Sequence, residues 1–478
     1  MSNTQTLSPT LSQQIAQFVA SRSYDDIPTA VRERAKLVML DAIGTAFAAS
    51  RYPFAPIALS ALSSLGTGDS VVIGNQARLA LRDAVVMNGI LVHGLDYDDT
   101  YLPGSVHLSA SCIPVVLGMG VHSKASGKDM LMATLLGLEI SARIAAAAKG
   151  GFVNAGFHAT GIAGVFGSTV AAGRLMKLNA EQHALAQGVA LSVTSGTLQP
   201  LQEGSWTKRL HPGWAGASGI TAAAFARAGY VGPAQAYEGH FGLYTCFLGE
   251  HKASAQPKSV VEGLGETWEF TRTSIKLFPA CHQLHAFMNC AIKLSKEQSQ
   301  PFSADNVESV RTLIADAAVP LVCEPLASKL KPASSYSAQF SLPYSVACAL
   351  TRGKFGLNEI EAPSYTDADL LKLANKVSYE IDPNPGFPKS RSGEVIVKMK
   401  DGRELRHRDN ILPDEPASAD AIIEKFMQNT IGVLTAARAQ SICDAVLGLE
   451  QLTDAQAFAA TLAMSAVAEN PAPALVAA

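Results

Sequence analysis

Residues 131–148 read LMATLLGLEISARIAAAA, and this run decides the character of the first half of the chain. It is built largely from Ala, Leu and Gly. Small side chains let helix axes approach closely, which is the composition of a tightly packed all-helical domain. The run could be mistaken for a membrane span, but it carries Glu139 and Arg143 in its interior. The other long apolar stretch, Ile113–Val121, is too short to cross a bilayer. Both read as buried helix.

Helical periodicity extends outward in both directions. Val31, Ala35, Val38, Met39 and Ile43 recur at helical spacing, so helices are expected over 11–22 and 28–50, with Pro28 in a first turn. Further helices are expected over 78–93, 108–123, 127–149, 158–176 and 180–195, and another Ala-rich helix should end near Gly229. No convincing strand alternation precedes residue 265, which argues against a doubly wound sheet. Gly66-Thr-Gly68 before the Ser70–Ile73 run lacks the third Gly and the Lys of a phosphate loop and reads as a plain turn.

Composition changes near 265. Thr267–Lys276 has strand character, as do Val307–Val319, Lys376–Ile381 and Gly393–Lys400. The last runs through Asp401-Gly402 into Arg403–His407, a hairpin signature. Helices over 283–297 and 337–351 lie between, so this segment reads as α+β. Residues 415–447 return to amphipathic helix and are expected to rejoin the first domain. The end of the chain is expected to fray.

The chain has 478 residues, enough for two or three domains, with 48% hydrophobic and 17% charged residues and a net charge of −3. No Lys/Arg cluster interleaved with aromatics suggests nucleic acid. The seven cysteines are odd in number, widely spaced and free of C-x-x-C pairs, which argues against a disulfide framework, a zinc ribbon or a clustered iron–sulfur motif. The polar start MSNTQTLSPTLSQQ shows no signal peptide. The expectation is a cytoplasmic protein with neither a membrane nor a nucleic-acid partner.

Four polar islands interrupt the apolar helices. Asn88–Thr100, reading NGILVHGLDYDDT, is followed by His107. Gly156–Gly161 holds His158 and Thr160. Gly204–Gly216 holds Lys208 and His211, with Gly213 and Gly216 read as backbone turns suited to an anion near a helix N-terminus. Lys276–His285 holds Cys281 and His282. Each has a bland reading: Asp98, Asp99 and Thr100 suit a cap or turn, and a lone His is usually a satisfied structural residue. A metal site is disfavoured because His282-x-x-His285 lacks the H-E-x-x-H spacing. No G-x-S-x-G elbow is present. Cys281 follows an apolar Phe-Pro-Ala run that would raise its pKa. Acid–base chemistry on an anion remains, with His or Asp moving protons and Lys holding carboxylates.

In this order the islands resemble the MmgE/PrpD family over nearly the whole chain. The matching strings are His93-Gly-Leu-Asp96-Tyr-Asp98-Asp99-Thr100 with His107-Leu-Ser109, Gly156-Phe-His158-Ala-Thr160, Lys208-Arg-Leu-His211-Pro-Gly213, Lys276-Leu-Phe-Pro-Ala-Cys281 with His285, and Ala338-Gln-Phe-Ser341-Leu-Pro-Tyr344. That family includes 2-methylcitrate dehydratase, cis-aconitate decarboxylase and iminodisuccinate epimerase. The resemblance implies a mainly-α fold: a large all-helical domain over 1–265, completed by 412–465, a smaller α+β lid domain over 266–411, and a flexible tail over 466–478. It implies a homodimer, a site between the domains, a small anionic carboxylate as substrate, and chemistry without a metal or other cofactor. Carried over by position, Asp96, His107, His158, Lys208 and His285 are the expected catalytic residues. Thr100, His211, Lys276, Cys281 and His282 are expected to bind substrate. The implied activity is a metal-independent lyase using proton transfer α to a carboxylate, first a 2-methylcitrate dehydratase-like hydro-lyase. An iminodisuccinate epimerase-like isomerase or a cis-aconitate decarboxylase-like enzyme is the alternative.

Overall fold

The computed structural model describes residues 8–203, 205–387, 389–412 and 416–464. Two compact units emerge. The first covers Met1–Ile275 and resumes at Pro416; the second is Lys276–Glu415. The tail expected over 466–478 lies outside the described residues.

Unit 1 is helical, and its inner layer explains the alanine and glycine content. The Leu210–Arg227 helix packs on Ala159–Leu175, Leu81–His93 and Ala180–Val193, while Gly127–Ala147 packs on Ala159–Leu175. The axes come close enough that a Cβ on Gly213 would lie 2.3 Å from the Val86 carbonyl oxygen, and one on Gly167 would lie 2.4 Å from the Gly137 oxygen. The Gly127–Ala147 helix has the length and hydropathy of a membrane span, but 94% of its apolar window is buried inside the protein. Its two interior charges are satisfied there. Arg143 Nε donates to Glu139 Oε1 at 2.5 Å, and the rest of the guanidinium donates to the carbonyls of Val260, Glu262, Gly263 and Thr267. The other Glu139 oxygen accepts from Phe270 N. This buried pair fastens the 260–270 segment to the central helix.

Three local expectations are corrected. Thr267–Lys276 is not a strand: Glu269–Arg272 forms a 3-10 turn, and the ladder contacts among its described residues are two isolated bridges, Ser274 with Thr100 and Thr267 with Leu264. The β-favouring Thr, Trp and Phe residues there are buried individually rather than on alternating faces. Gly213 and Gly216 are not turns, because the helix already begins at Leu210; they are sites of close helix approach. Ahead of residue 265 there is a small antiparallel ribbon, β1 (Ser70–Val71) with β2 (Arg78–Leu79). Asn88 pins it to the Leu81–His93 helix, accepting from Ile73 N and donating to the Val71 carbonyl.

Unit 2 carries a four-stranded sheet in the order β4-β3-β5-β6: β3 (Val307–Ile314), β4 (Val377–Ile381), β5 (Arg391–Met399) and β6 (Glu404–Ile411). β3 pairs parallel with β4 and antiparallel with β5, and β5–β6 is the hairpin turned by Asp401-Gly402. Gly402 has φ +92°, which an L side chain rarely adopts. The His285–Lys296 helix packs on β5 and β6 and on the Leu342–Arg352 helix, around Phe287, Val310, Tyr344 and Val397.

Candidate active site

The Leu81–His93 helix ends at the tight Gly94–Thr100 loop. Asp96 takes φ +50°, uncommon for a residue with a side chain, and such strain concentrates at functional sites. The Asp96 carboxylate meets Lys208 Nζ at 3.1 Å and lies 3.8 Å from His107 Nε2.

The two following carboxylates do different work. Asp99, fully buried, accepts from the amides of Leu108 and Ser109 at 3.1 and 3.0 Å and from the Thr273 hydroxyl, and so caps the Ser109–His122 helix. Burial pushes its carboxyl up, as does the neighbouring Asp98. Asp98, also fully buried, lies between two imidazoles: 3.0 Å from His93 Nδ1 and 3.4 Å from His107 Nδ1. Burial alone would raise its pKa, but the flanking His93 and His107 hold it well below the usual carboxylate range.

These contacts set the imidazole tautomers. His107 Nδ1 lies 2.8 Å from the Asp99 carbonyl oxygen, which can only accept. The proton is therefore on Nδ1, and Nε2 keeps a lone pair on the side of Asp96 and Lys208. The Thr160 hydroxyl, accepting from His107 N at 3.1 Å, holds the backbone beneath. By the same logic His93 carries its proton on Nδ1, toward ionised Asp98. Burial drives the His93 pKa down to about 4, against the pull of Asp98, so the ring is neutral at pH 7.

His158 stands at the N-terminal end of the Ala159–Leu175 helix, its amide bonded to the Gly196 carbonyl. Its Nδ1 is 3.1 Å from His211 Nδ1. Burial first, then the Lys208 charge, holds His158 well below the ordinary imidazole range and brings His211 to about 4. His93 is stacked on His158 and tilted against His107, with ring centroids 5.4 Å and 4.6 Å away. Among the described residues, His93 Nε2 and His158 Nε2 have no hydrogen-bond partner, and neither does the buried Thr100 Oγ1 at the end of the Asp96 loop. Each leaves a bond for something else to make.

Unit 1 thus holds six of the expected residues and brings five of them together, Asp96, His107, His158, Lys208 and His211, with Thr100 closing the Asp96 loop. Lys276, Cys281, His282 and His285 belong to unit 2. There His282 and His285 have ring centroids 4.7 Å apart, Phe278 packs edge-on against His285, and His285 Nε2 donates to the Ala280 carbonyl at 3.2 Å. Lys276 is buried and Cys281 half-buried.

The residue missed at sequence level is His93. It sits inside an apolar helical stripe, and only its five-residue spacing to Asp98 across a turn hints at the pairing. Among the described residues, one nitrogen from each of His93, His107 and His158 lies within 4.8 Å of the others. These imidazoles come from three separate elements, so no H-x-x-H spacing announces them. The same spacing suits a metal ion or a single bound oxyanion, and here Lys208 already supplies a fixed positive charge.

A mainly helical unit with a buried imidazole cluster and a Lys–carboxylate pair, followed in the chain by a small α+β unit, defines the class of fold. The chain belongs to the MmgE/PrpD family: the MmgE/PrpD N-terminal domain matches residues 13–256 and the C-terminal domain residues 278–451. It is 26% identical over 463 residues to a cis-aconitate decarboxylase-like protein, oryM, of Aspergillus oryzae, covering 92% of this chain and 95% of that one. It is 25% identical to a cis-aconitate decarboxylase of Aspergillus terreus, covering 93% and 94%. To the human cis-aconitate decarboxylase it is 26% identical, covering 89% and 88%.

Proposed function

We propose that the protein is a carboxy-lyase acting on a small unsaturated tricarboxylate of the cis-aconitate type. The observation that carries this is the His107 arrangement: a tautomer held by the Asp99 carbonyl, with its basic nitrogen beside the Asp96–Lys208 pair. The names of the relatives favour decarboxylation over the dehydration expected first.

Lys208 binds a substrate carboxylate and offsets charge developing on the carbon framework. The bond to the departing carboxylate breaks and its electron pair stays on the framework, conjugated with a remaining carboxylate. Carbon dioxide leaves. His107 or His158 first takes one proton from solvent at Nε2, then delivers it to carbon and returns to the lone-pair form, so a trianion and a proton give a dianion and carbon dioxide. Thr100 Oγ1 and His158 Nε2 have the unused hydrogen-bonding capacity to orient the substrate. A homodimer is part of the same proposal. Leu210, Trp214 and Phe225 lie along the outward face of one helix, with Tyr230 packed against Phe225, and all four are exposed. An apolar patch of this kind marks an association surface, and a second copy of the chain is the occupant proposed. Light scattering should give twice the 50.1 kDa chain mass, and Trp214→Glu should return it to one chain. A wild-type monomer would overturn the dimer without touching the chemistry.

The activity is tested by NMR in deuterated water with cis-aconitate, 2-methylcitrate, citrate and iminodisuccinate. The expected result is loss of carbon dioxide from cis-aconitate with one deuterium gained at carbon. Elimination of water from 2-methylcitrate alone would make the protein a hydro-lyase, and exchange on iminodisuccinate without net loss would make it an epimerase. Inertness toward all four would end the acid–base reading for these substrates.

A further inference from the structure

The Asp96 loop is held at its backbone from both sides by cations outside the imidazole cluster. Arg209 Nε donates to the Gly94 carbonyl at 2.7 Å, and Lys425 Nζ donates to the Tyr97 carbonyl at 2.7 Å. Between these two carbonyls stands Asp96, in its left-handed conformation. Lys425 comes from the Ala419–Thr430 helix, which lies against Thr29–Ala49 so closely that a Cβ on Gly44 would meet Phe426 at 2.9 Å. The residue is 4% exposed, and its ammonium pairs with Asp41 Oδ1 at 2.6 Å and sits 3.8 Å from the centroid of the Tyr97 ring.

We propose that Lys425 and Arg209 are positioning residues that keep Asp96 in its strained geometry, so that its carboxylate reaches both Lys208 and His107. A buried ion pair is replaceable by apolar side chains with little loss of stability. The particular consequence of Lys425 is therefore its bond to the Tyr97 carbonyl. Loss of that bond frees the peptide to relax away from φ +50° and carries the carboxylate with it.

The effect on turnover rests on the proposed function, and the test separates the two. The double substitution Asp41→Leu/Lys425→Met removes both buried charges together, so the melting temperature should stay within a few degrees of wild type. The kcat on cis-aconitate should nonetheless fall by roughly 10²-fold, the scale of a 1 Å misplacement, with KM changed far less. Arg209→Gln, which disturbs no buried charge, should produce the same split. In an Asp96→Asn background the double substitution should cost almost nothing more, because its effect passes through Asp96. A stable double variant with wild-type kcat, or losses that multiply regardless of Asp96, would overturn the proposal. If the wild-type chain turns over none of the four carboxylates, the functional reading has failed. The clamp is then read from the ¹⁵N resonances of His107 in the labelled protein, which shift in the double variant if Asp96 has moved and stay unchanged if it has not.

Discussion

Asp98→Asn is expected to lower kcat by roughly 10²–10⁴-fold with KM little changed, the range seen when a buried carboxylate behind a catalytic imidazole becomes an amide. Asp98 is fully buried and serves two imidazoles at once. An amide in its place offers one oxygen and an NH₂ group that can only donate. It cannot accept from both His93 Nδ1 and His107 Nδ1 as the carboxylate does. Whichever ring faces the NH₂ must move its proton to Nε2, removing the lone pair from the side of the site. His107 keeps its tautomer through the Asp99 carbonyl, but it loses the carboxylate charge 3.4 Å from Nδ1 that supports the ring when it carries the transferred proton, while His93 is the ring driven to the other tautomer. The measurement is steady-state kinetics alongside a melting curve. A loss below about tenfold in a stably folded variant would reduce Asp98 to a structural residue.

Lys208→Ala is expected to lower kcat/KM by roughly 10²–10³-fold, with KM raised and kcat reduced together. It strips Asp96 of the ion-pair partner at 3.1 Å and the substrate of a carboxylate anchor. It should also move the alkaline limb of the pH profile. After burial, the Lys208 charge is the next cause depressing His158 and His211, and it contributes to the depression of His93. Removing it raises all three. A proton donor with a raised pKa stays protonated to higher pH, so the alkaline limb of kcat/KM shifts upward. A raised KM with an unmoved limb would leave Lys208 as a binding residue with no hold on the imidazoles.

Much of this architecture could be read from residue patterns. Val31 to Ile43 marks a helix by period alone, and Asp401-Gly402 marks the hairpin, because both depend on local rules. The polar islands stood out because the surrounding sequence uses charge so rarely, and five of their residues come together in unit 1. What could not be read depends on contacts distant in sequence. Gly213 looked like a turn because its reason for being glycine is the Val86 carbonyl on another helix. Thr267–Lys276 looked like a strand because nothing local says that Glu139 and Arg143 have already claimed its backbone groups. Neither His93 nor Lys425 has a local signal for its role, because the partner of the first lies across a turn and the Tyr97 carbonyl is 328 residues from the second.

The placement of Lys425 has a consequence for biosynthesis. Asp41 and the Tyr97 carbonyl are made early, while their shared partner follows 328 residues after Tyr97, beyond the whole of unit 2. At roughly 5–20 residues per second, a nascent chain that has completed the first segment of unit 1 waits on the order of ten seconds or more for the helix that closes it. During that interval the Asp41 carboxylate lacks the Lys425 ammonium, and the side of Thr29–Ala49 that packs on Ala419–Thr430 has no cover. Unit 2 can fold in the meantime, since its sheet and helices are contiguous in the chain. Unit 1, made first, is finished last, and the nascent protein passes through a stage in which its smaller half is complete while the half carrying the imidazoles still needs protection from aggregation.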